Sequence, residues 1–460
     1  MIGARGRWVY VLTALSWFIT FINATTTCNS THSCPESSPC CNAYGECGTG
    51  VYCLGGCDVR YSYNLTACMP MPRMSDFEVT FDKKSILSKQ SDYLGNYSET
   101  DWLYSGYTSI HDDALLLQMP NQSSGTVISS TKYLWYGKVS AQLKTSHDKG
   151  VVTAFILFSD VQDEIDFEFV GFNLTYPQSN YYALGILDYD NAKASKSSNT
   201  FKNYHEYTVD WQEDKIDWYV DDSKVRTLNK SDTWNKTTKR YDFPQTPSRI
   251  QVSLWPGGDS SNGLGTIEWA GGKIDWDSSD IKKYGYYYAY LKNITVEQYD
   301  LPDGVKLEGA DDESDLHAYL YNSTKAGQNK IVLTSKKTWL GSEDATGIDP
   351  DNSDDESDST KSSSSLKSNK SSSTNTSKTT TGTSGKTEAA KTTATTYNTN
   401  GAIGGFVQNT GDSAASSTSD SSKSGSSSSG GDSQFASSSK LQKILLAATA
   451  LAIGTSAFMF

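Results

Sequence analysis

In Glu164-Ile165-Asp166-Phe167-Glu168-Phe169, acidic and apolar residues alternate strictly, a spacing that can carry acid–base and nucleophilic chemistry. On a β-strand, residues i, i+2 and i+4 share a face. Glu164, Asp166 and Glu168 therefore line one side, while Ile165, Phe167 and Phe169 enter a core. A solvated polar face is the plain alternative, yet such faces usually interleave Lys, Thr or Ser, because neighbouring like charges lose stability and push at least one pKa upward. Glycosidic chemistry needs unlike carboxyls side by side: one keeps its proton to release the leaving sugar, and one stays charged to attack the anomeric carbon. Glutamates four apart on a strand have Cα atoms ~13 Å apart, and side chains leaning inward bring their carboxyls towards the ~5–5.5 Å of a retaining mechanism.

The same alternation in Gln251-Val252-Ser253-Leu254-Trp255 sets Gln251, Ser253 and Trp255 opposite the core residues Val252 and Leu254. Gln251 and Trp255 are therefore candidate substrate-binding residues, beside the acid Glu168. Thr266 and Trp269 are further candidates, in the stretch Gly265–Gly272, which reads as a Gly-rich loop whose small residues let a polymer approach the backbone. A loop that merely packs on the sandwich edge is the alternative. The 5 histidines, His32, His111, His147, His205 and His317, show no metal-ligand spacing, so neither a catalytic metal nor a cofactor is expected.

The elements that must position these residues read as short strands: Trp135–Thr145, Val151–Phe158, Glu164–Val170, Tyr181–Leu187, Glu206–Trp211, Lys215–Val220, Arg249–Trp255 and Tyr286–Gln298. With turn signals between them and no persuasive helix, residues 77–300 are expected to form an all-β sandwich. All 8 cysteines lie between Cys28 and Cys68, which marks residues 25–70 as one disulfide-rich module. Zinc is disfavoured by the even count, the adjacent pair Cys40-Cys41 and the lack of Cys-X-X-Cys, and spacing arithmetic alone leaves the pairing open.

Both ends read as processing signals. Arg5 and Arg7 precede an apolar run from Trp8 to Ile22 and the small residue Ala24, the layout of a signal peptide over residues 1–24. Residues 301–341 are expected as an ill-defined extension. Residues 342–429 are Ser/Thr-rich and almost free of aromatics, hence a glycosylated stalk that cannot bury enough apolar surface to order itself. Residues 430–460 end in the apolar run from Ile444 to Phe460 after a polar spacer, the layout of a GPI-attachment signal with Ser429 as the attachment site. Membrane contact is then through lipid only. Twelve Asn-X-Ser/Thr triplets agree with secretion. The net charge of -13 argues against a nucleic-acid partner, because phosphate binding needs clustered Lys and Arg.

Two resemblances sharpen this reading. Cys34-Pro35, Cys40-Cys41-Asn42-Ala43-Tyr44-Gly45-Glu46-Cys47-Gly48 and Tyr52-Cys53 resemble a hevein-type chitin-binding module. That resemblance implies the pairs Cys28–Cys41, Cys34–Cys47, Cys40–Cys53 and Cys57–Cys68, and sugar-facing Asn42, Tyr44, Glu46 and Tyr52. Glu46 departs from the pattern, because the family often has an aromatic there. The segment Asp163 to Gly171 resembles the active-site strand of glycoside hydrolase family 16, a jelly-roll family, with Tyr204-His205-Glu206-Tyr207, Ile216-Asp217-Trp218-Tyr219-Val220-Asp221 and Trp255-Pro256-Gly257-Gly258 in support.

The order of module, catalytic domain, stalk and anchor resembles the fungal Crh-type cell-wall transglycosylases. This implies an extracellular enzyme that cleaves a chitin donor with retention and transfers it to a β-1,3- or β-1,6-glucan acceptor, with Glu164 as nucleophile, Glu168 as general acid/base and Asp166 as the residue that tunes the nucleophile. A hydrolase of chitin or β-glucan shares the same strand. A non-catalytic wall adhesin is the third reading, and it has no use for three aligned carboxylates.

Overall fold

The computed structural model describes residues 26–352. The signal peptide over residues 1–24, the stalk beyond 352, Ser429 and the anchor signal lie outside the described residues. Two eight-stranded sheets face each other. The first runs, edge to edge, through Ser223–Asn229, Lys215–Val220, His205–Trp211, Gly137–Lys144, Tyr286–Gln298, Ala114–Pro120 and Tyr107–His111, with Phe77–Thr80 alongside Tyr286–Gln298. The second runs through Lys193–Ala194, Gln178–Tyr182, Glu164–Val170, Val152–Ser159, Ser248–Trp255, Thr126–Ser130, Trp102–Ser105 and Leu87–Lys89.

The core between them follows from the alternation. Ile165, Phe167 and Phe169 pack with Phe155, Leu157, Ile250, Val252 and Leu254 against Val139, Ala141, Tyr207, Val209, Trp218 and Leu291 of the facing sheet. Aromatic contacts cross it, with Phe169 and Tyr207 edge to face at 4.6 Å. This is the jelly-roll sandwich that the strand pattern and the family resemblance imply.

Four expectations need correction. The strand expected over Tyr181–Leu187 lies over Gln178–Tyr182, because Leu184 adopts a left-handed backbone (φ 53) in a turn where Ala183 bridges Ile186. Two short helices occur where none was expected, Leu264–Trp269 and Ser279–Tyr284. The first replaces the Gly-rich loop around Thr266; the second starts on the Ser278 side-chain cap and ends at Gly285 in the left-handed region that glycine favours.

The extension over residues 301–341 is ordered. Lys306–Glu308, Ile331–Thr334 and Ala318–Tyr321 form a sheet with Met71–Pro72, held by buried Tyr319, Tyr321 and Leu333. Finally, ordered chain passes the expected stalk boundary at 342, since Ala345 is buried and its carbonyl accepts the Gly50 N–H at 2.8 Å.

The cysteines pair as Cys28–Cys41, Cys34–Cys47, Cys40–Cys53 and Cys57–Cys68. Cys28, Cys34, Cys41 and Cys47 make a small cluster of their own, whereas Cys40, Cys53, Cys57 and Cys68 join the main hydrophobic core. Residues 26–70 therefore share packing with the sandwich. No helix among the described residues is long and apolar enough to cross a membrane.

Candidate active site

Strand pairing collects one face of the second sheet into a concave floor. In an antiparallel pair, residues directly opposite lie on the same face. Three rows cross the floor: Tyr182, Glu164, Phe158 and Arg249; then Asn180, Asp166, Ile156, Gln251 and Ser129; then Gln178, Glu168, Ala154, Ser253 and Val127. Gln251 thus shares a row with Asp166, and the three carboxyls stand in a line along their strand. The floor is pinned from beneath by Trp218, whose Nε1–H donates to the Asp166 carbonyl at 3.1 Å. Arg226 stacks on Trp218 at 4.5 Å and donates to the Ser179 carbonyl at 2.8 Å, fixing the neighbouring strand.

All three carboxyls are shielded, with Glu164 3%, Asp166 0% and Glu168 8% exposed. Burial disfavours the charged form and is the leading influence on each. It holds Glu164 well above the usual carboxylate range, with the Asp166 and Glu168 charges adding to it. Burial, then the Asp166 charge, does the same to Glu168. Asp166 is pushed up to about 7 by burial, against the relief given by its hydrogen bond with Glu164 and by the Arg226 charge.

Glu164 Oε1 and both carboxyl oxygens of Asp166 accept no N–H or O–H from the rest of the protein. What lies within hydrogen-bonding reach of each is the other's carboxyl. The two carboxyls interact, and the Asp166 charge makes ionisation of Glu164 harder. Glu168 is held towards its protonated form by burial and by the Asp166 charge. Carboxyls that differ in their tendency to ionise, on one face of one strand, are what general-acid release and nucleophilic attack require.

Groups that can hold a sugar surround the three. Asn180 Oδ1 and Ser253 Oγ are buried on the same face without a protein partner. Tyr182 stands opposite Glu164, and burial together with the three carboxyls keeps its hydroxyl protonated as a donor. At the Glu168 end Trp255 and Trp269 stack with ring centroids 6.1 Å apart, and Trp269 Nε1–H donates to Gln178 Oε1 at 3.0 Å. Thr266 sits on the same short helix as Trp269, where its carbonyl accepts the Ala270 N–H at 2.9 Å.

Tyr182, Asn180, Gln178 and Arg249 were not singled out in the sequence. The alternation Gln178-Ser179-Asn180-Tyr181-Tyr182 carried a signal for the first three, but only pairing with the catalytic strand gives it meaning. His147, between Asp148 and Asp280, and His205, between Ser198 and Asp221, serve loops away from the carboxyls.

In the front module the sugar-facing positions are partly engaged with each other. Asn42 Oδ1 accepts the N–H groups of Tyr44 (2.9 Å) and Glu46 (3.0 Å), and its Nδ2 donates to Glu46 Oε2 at 3.2 Å. The Tyr52 ring lies so close over Gly48 that a Cβ there would meet it at 2.5 Å.

A jelly roll with a buried carboxyl strand on its concave face defines a glycoside hydrolase of the two-carboxyl kind. A family model described as "Glycosyl hydrolases family 16" matches residues 96–271. "Crh-like protein UTR2" of Candida albicans is 66% identical over 350 residues, which span 75% of this chain and 74% of that one. "Congo red hypersensitive protein 2" of Saccharomyces cerevisiae is 46% identical over 347 residues, 75% and 73% of the two chains. Among solved structures, "Crh5 transglycosylase in complex with NAG" is 26% identical with a TM-score of 0.48, covering 60% of this chain and 99% of that one. The chain belongs to the Crh-like proteins of glycosyl hydrolase family 16.

Proposed function

We propose that this protein is an extracellular cell-wall transglycosylase that cleaves chitin with retention and joins it to a β-1,3- or β-1,6-glucan. The observation that carries the reading is the line of three buried carboxyls on one face of a strand, each held towards its protonated form chiefly by burial. When a donor fills the cleft, Glu168 gives its proton to the glycosidic oxygen as Glu164 attacks the anomeric carbon. The leaving chain departs as an alcohol, and a glycosyl ester forms on Glu164. Attack requires Glu164 as the carboxylate, and Asp166 beside it is the residue that tunes the nucleophile.

In the second half, Glu168 takes the proton of an acceptor hydroxyl as that oxygen bonds to the anomeric carbon and the ester breaks. Gln251, Trp255, Thr266 and Trp269 are the substrate-binding residues in this reading, and Asn42, Tyr44 and Tyr52 serve the module. Secretion by residues 1–24 and GPI attachment at Ser429 place the enzyme at the outer face of the membrane and in the wall.

Incubating the protein with a chitin oligomer and a labelled glucan oligomer, then weighing the products, tests this. Mixed oligomers are the expected result. Shortened donor alone would establish the hydrolase reading instead, and unchanged substrates would leave only a binding protein.

A further inference from the structure

The disulfide module abuts the concave floor at its Glu164 end. Gly56 N–H donates to Asp160 Oδ1 at 2.7 Å, in the turn that leads into the catalytic strand, and Tyr133 Oη donates to the same oxygen at 2.7 Å. Arg60, ion-paired with Asp58 at 2.6 Å, reaches across to the Leu184 carbonyl at 2.9 Å. Arg249 belongs to this junction as well as to the floor, in the row that holds Glu164, with Phe158 between them.

Arg249 is 6% exposed, and its Nε has no hydrogen-bond partner. Asp160, whose charge it faces, already uses Oδ1 on Gly56 and Tyr133. A guanidinium carries five N–H donors and no acceptor, and burying it with donors unused is unfavourable. The group lies against the module backbone. A Cβ on Gly55 would fall 2.4 Å from Nη1, and one on Gly56 would fall 3.5 Å from Nη2 and 3.3 Å from the Ala43 methyl. The absence of a side chain at Gly55 lets the guanidinium lie against the backbone there. Tyr44 follows Ala43, is half-buried, and has its hydroxyl pushed up by burial and pulled back by the Arg249 charge.

Two features of the module point the same way. Its own second platform is replaced by Glu46, which Asn42 ties down. Of its two remaining rings, Tyr44 and Tyr52, Tyr44 is the one near the cation of the catalytic sheet: it follows Ala43, whose methyl lies by Gly56 as Arg249 Nη2 does. A tyrosine face accepts the apolar face of a sugar ring, and a donor-only guanidinium needs an acceptor. On a neutral polysaccharide the best acceptor is the carbonyl of an acetamido group.

We propose that the module is a wall of the catalytic cleft, and that Tyr44 and Arg249 together form a subsite for an N-acetylated sugar of a polymer lying beyond Glu164. The module then selects donor chains within the cleft and is no separate tether. This rests on the reading that a polysaccharide occupies the cleft, but its test is a binding measurement and does not depend on transfer.

Calorimetric titration of the full chain carrying Glu164→Gln, with N-acetylglucosamine oligomers from disaccharide to octasaccharide, provides that test. The longer oligomers are expected to bind more tightly. Tyr44→Ala and Arg249→Leu should each remove about tenfold of affinity for the long oligomers, the size of a hydrogen bond to a charged group, and nothing for the disaccharide. The double variant should be no worse than either single one, because both serve one sugar. Octasaccharides stripped of their acetyl groups should not distinguish Arg249→Leu from the parent.

Equal affinities of Tyr44→Ala and its parent at every length would overturn the proposal. So would losses that simply add, or a loss of chitin-bead retention with soluble affinities unchanged. Should Arg249→Leu fail to fold, Tyr44→Ala and the comparison of acetylated with deacetylated oligomers decide alone. A parent that binds oligomers as expected but transfers nothing refutes the transglycosylase reading and leaves the subsite standing.

Discussion

Replacing Asp166 with asparagine should stabilise the fold while disabling it. In the protein Asp166 titrates near 7 instead of at the ordinary 3.8, chiefly because it is buried. Between those two values the folded chain holds a proton that the unfolded chain has released. The stability this group contributes is therefore complete below its unfolded pKa and lost as pH rises through about 7. A gap of about three pH units at ~1.4 kcal/mol each makes the loss on the order of 4 kcal/mol at pH 8.

An amide does not ionise, so Asp166→Asn escapes that loss. Thermal unfolding of both proteins across the acid-to-alkaline range measures the effect. The two midpoints should nearly coincide around pH 4 and separate by roughly 5–10 °C at pH 8, the variant being higher. Transfer by the variant should fall by about a hundredfold, since nothing then sets the proton balance of Glu164 and Glu168. Parallel midpoint curves would refute the argument, because they would mean that Asp166 carries the same charge in both states.

Glu164→Gln and Glu168→Gln should each lower transfer by at least about a thousandfold, as read by product mass, with an unfolding midpoint no lower than the parent's; wild-type turnover in both would refute their roles. Trp269→Ala should raise KM for soluble donors about tenfold with a smaller effect on kcat, because it removes a ring from the Trp255 stack and a donor from Gln178; an unchanged KM would place sugar elsewhere. Deleting residues 26–70 should give insoluble protein, measured as the soluble fraction on expression, because Cys40, Cys53, Cys57 and Cys68 belong to the main core; an active truncation would show that the module is dispensable. Deleting Leu441–Phe460 should release the protein into the medium, whereas retention at the cell surface would mean another attachment.

The carboxyl line was legible because a strand's period of two is a local property: Glu164, Asp166 and Glu168 share a face whatever lies beside them. Gln251 and Trp255 followed by the same rule, and the structure sets them on that floor. What escaped was lateral. Tyr182 meets Glu164, and Arg249 enters its row, only through pairing between strands distant in sequence, on which local alternation is silent. Residues 301–352 escaped for a different reason. Their apolar content is low, and Tyr319, Tyr321 and Leu333 form a core only by adding to Met71–Pro72, far upstream. Thr266 and Trp269 read as loop because glycines flank them, yet the six residues Leu264–Trp269 close one helical turn between those glycines.

The return of the chain to its own beginning orders events during synthesis. Gly347 N–H donates to the Ala67 carbonyl at 2.9 Å, and Leu340 N–H to the Leu94 carbonyl at 2.7 Å. The cysteine-rich segment emerges first and can oxidise while the rest is still being made, but the strap that closes over it arrives about 280 residues later, some 15–60 s at ordinary elongation rates. Throughout that interval the surface that will carry residues 301–352 is bare. Oxidative folding and final closure are thus separated in time, and an early mispairing of the disulfides can still be corrected before the strap locks the module down.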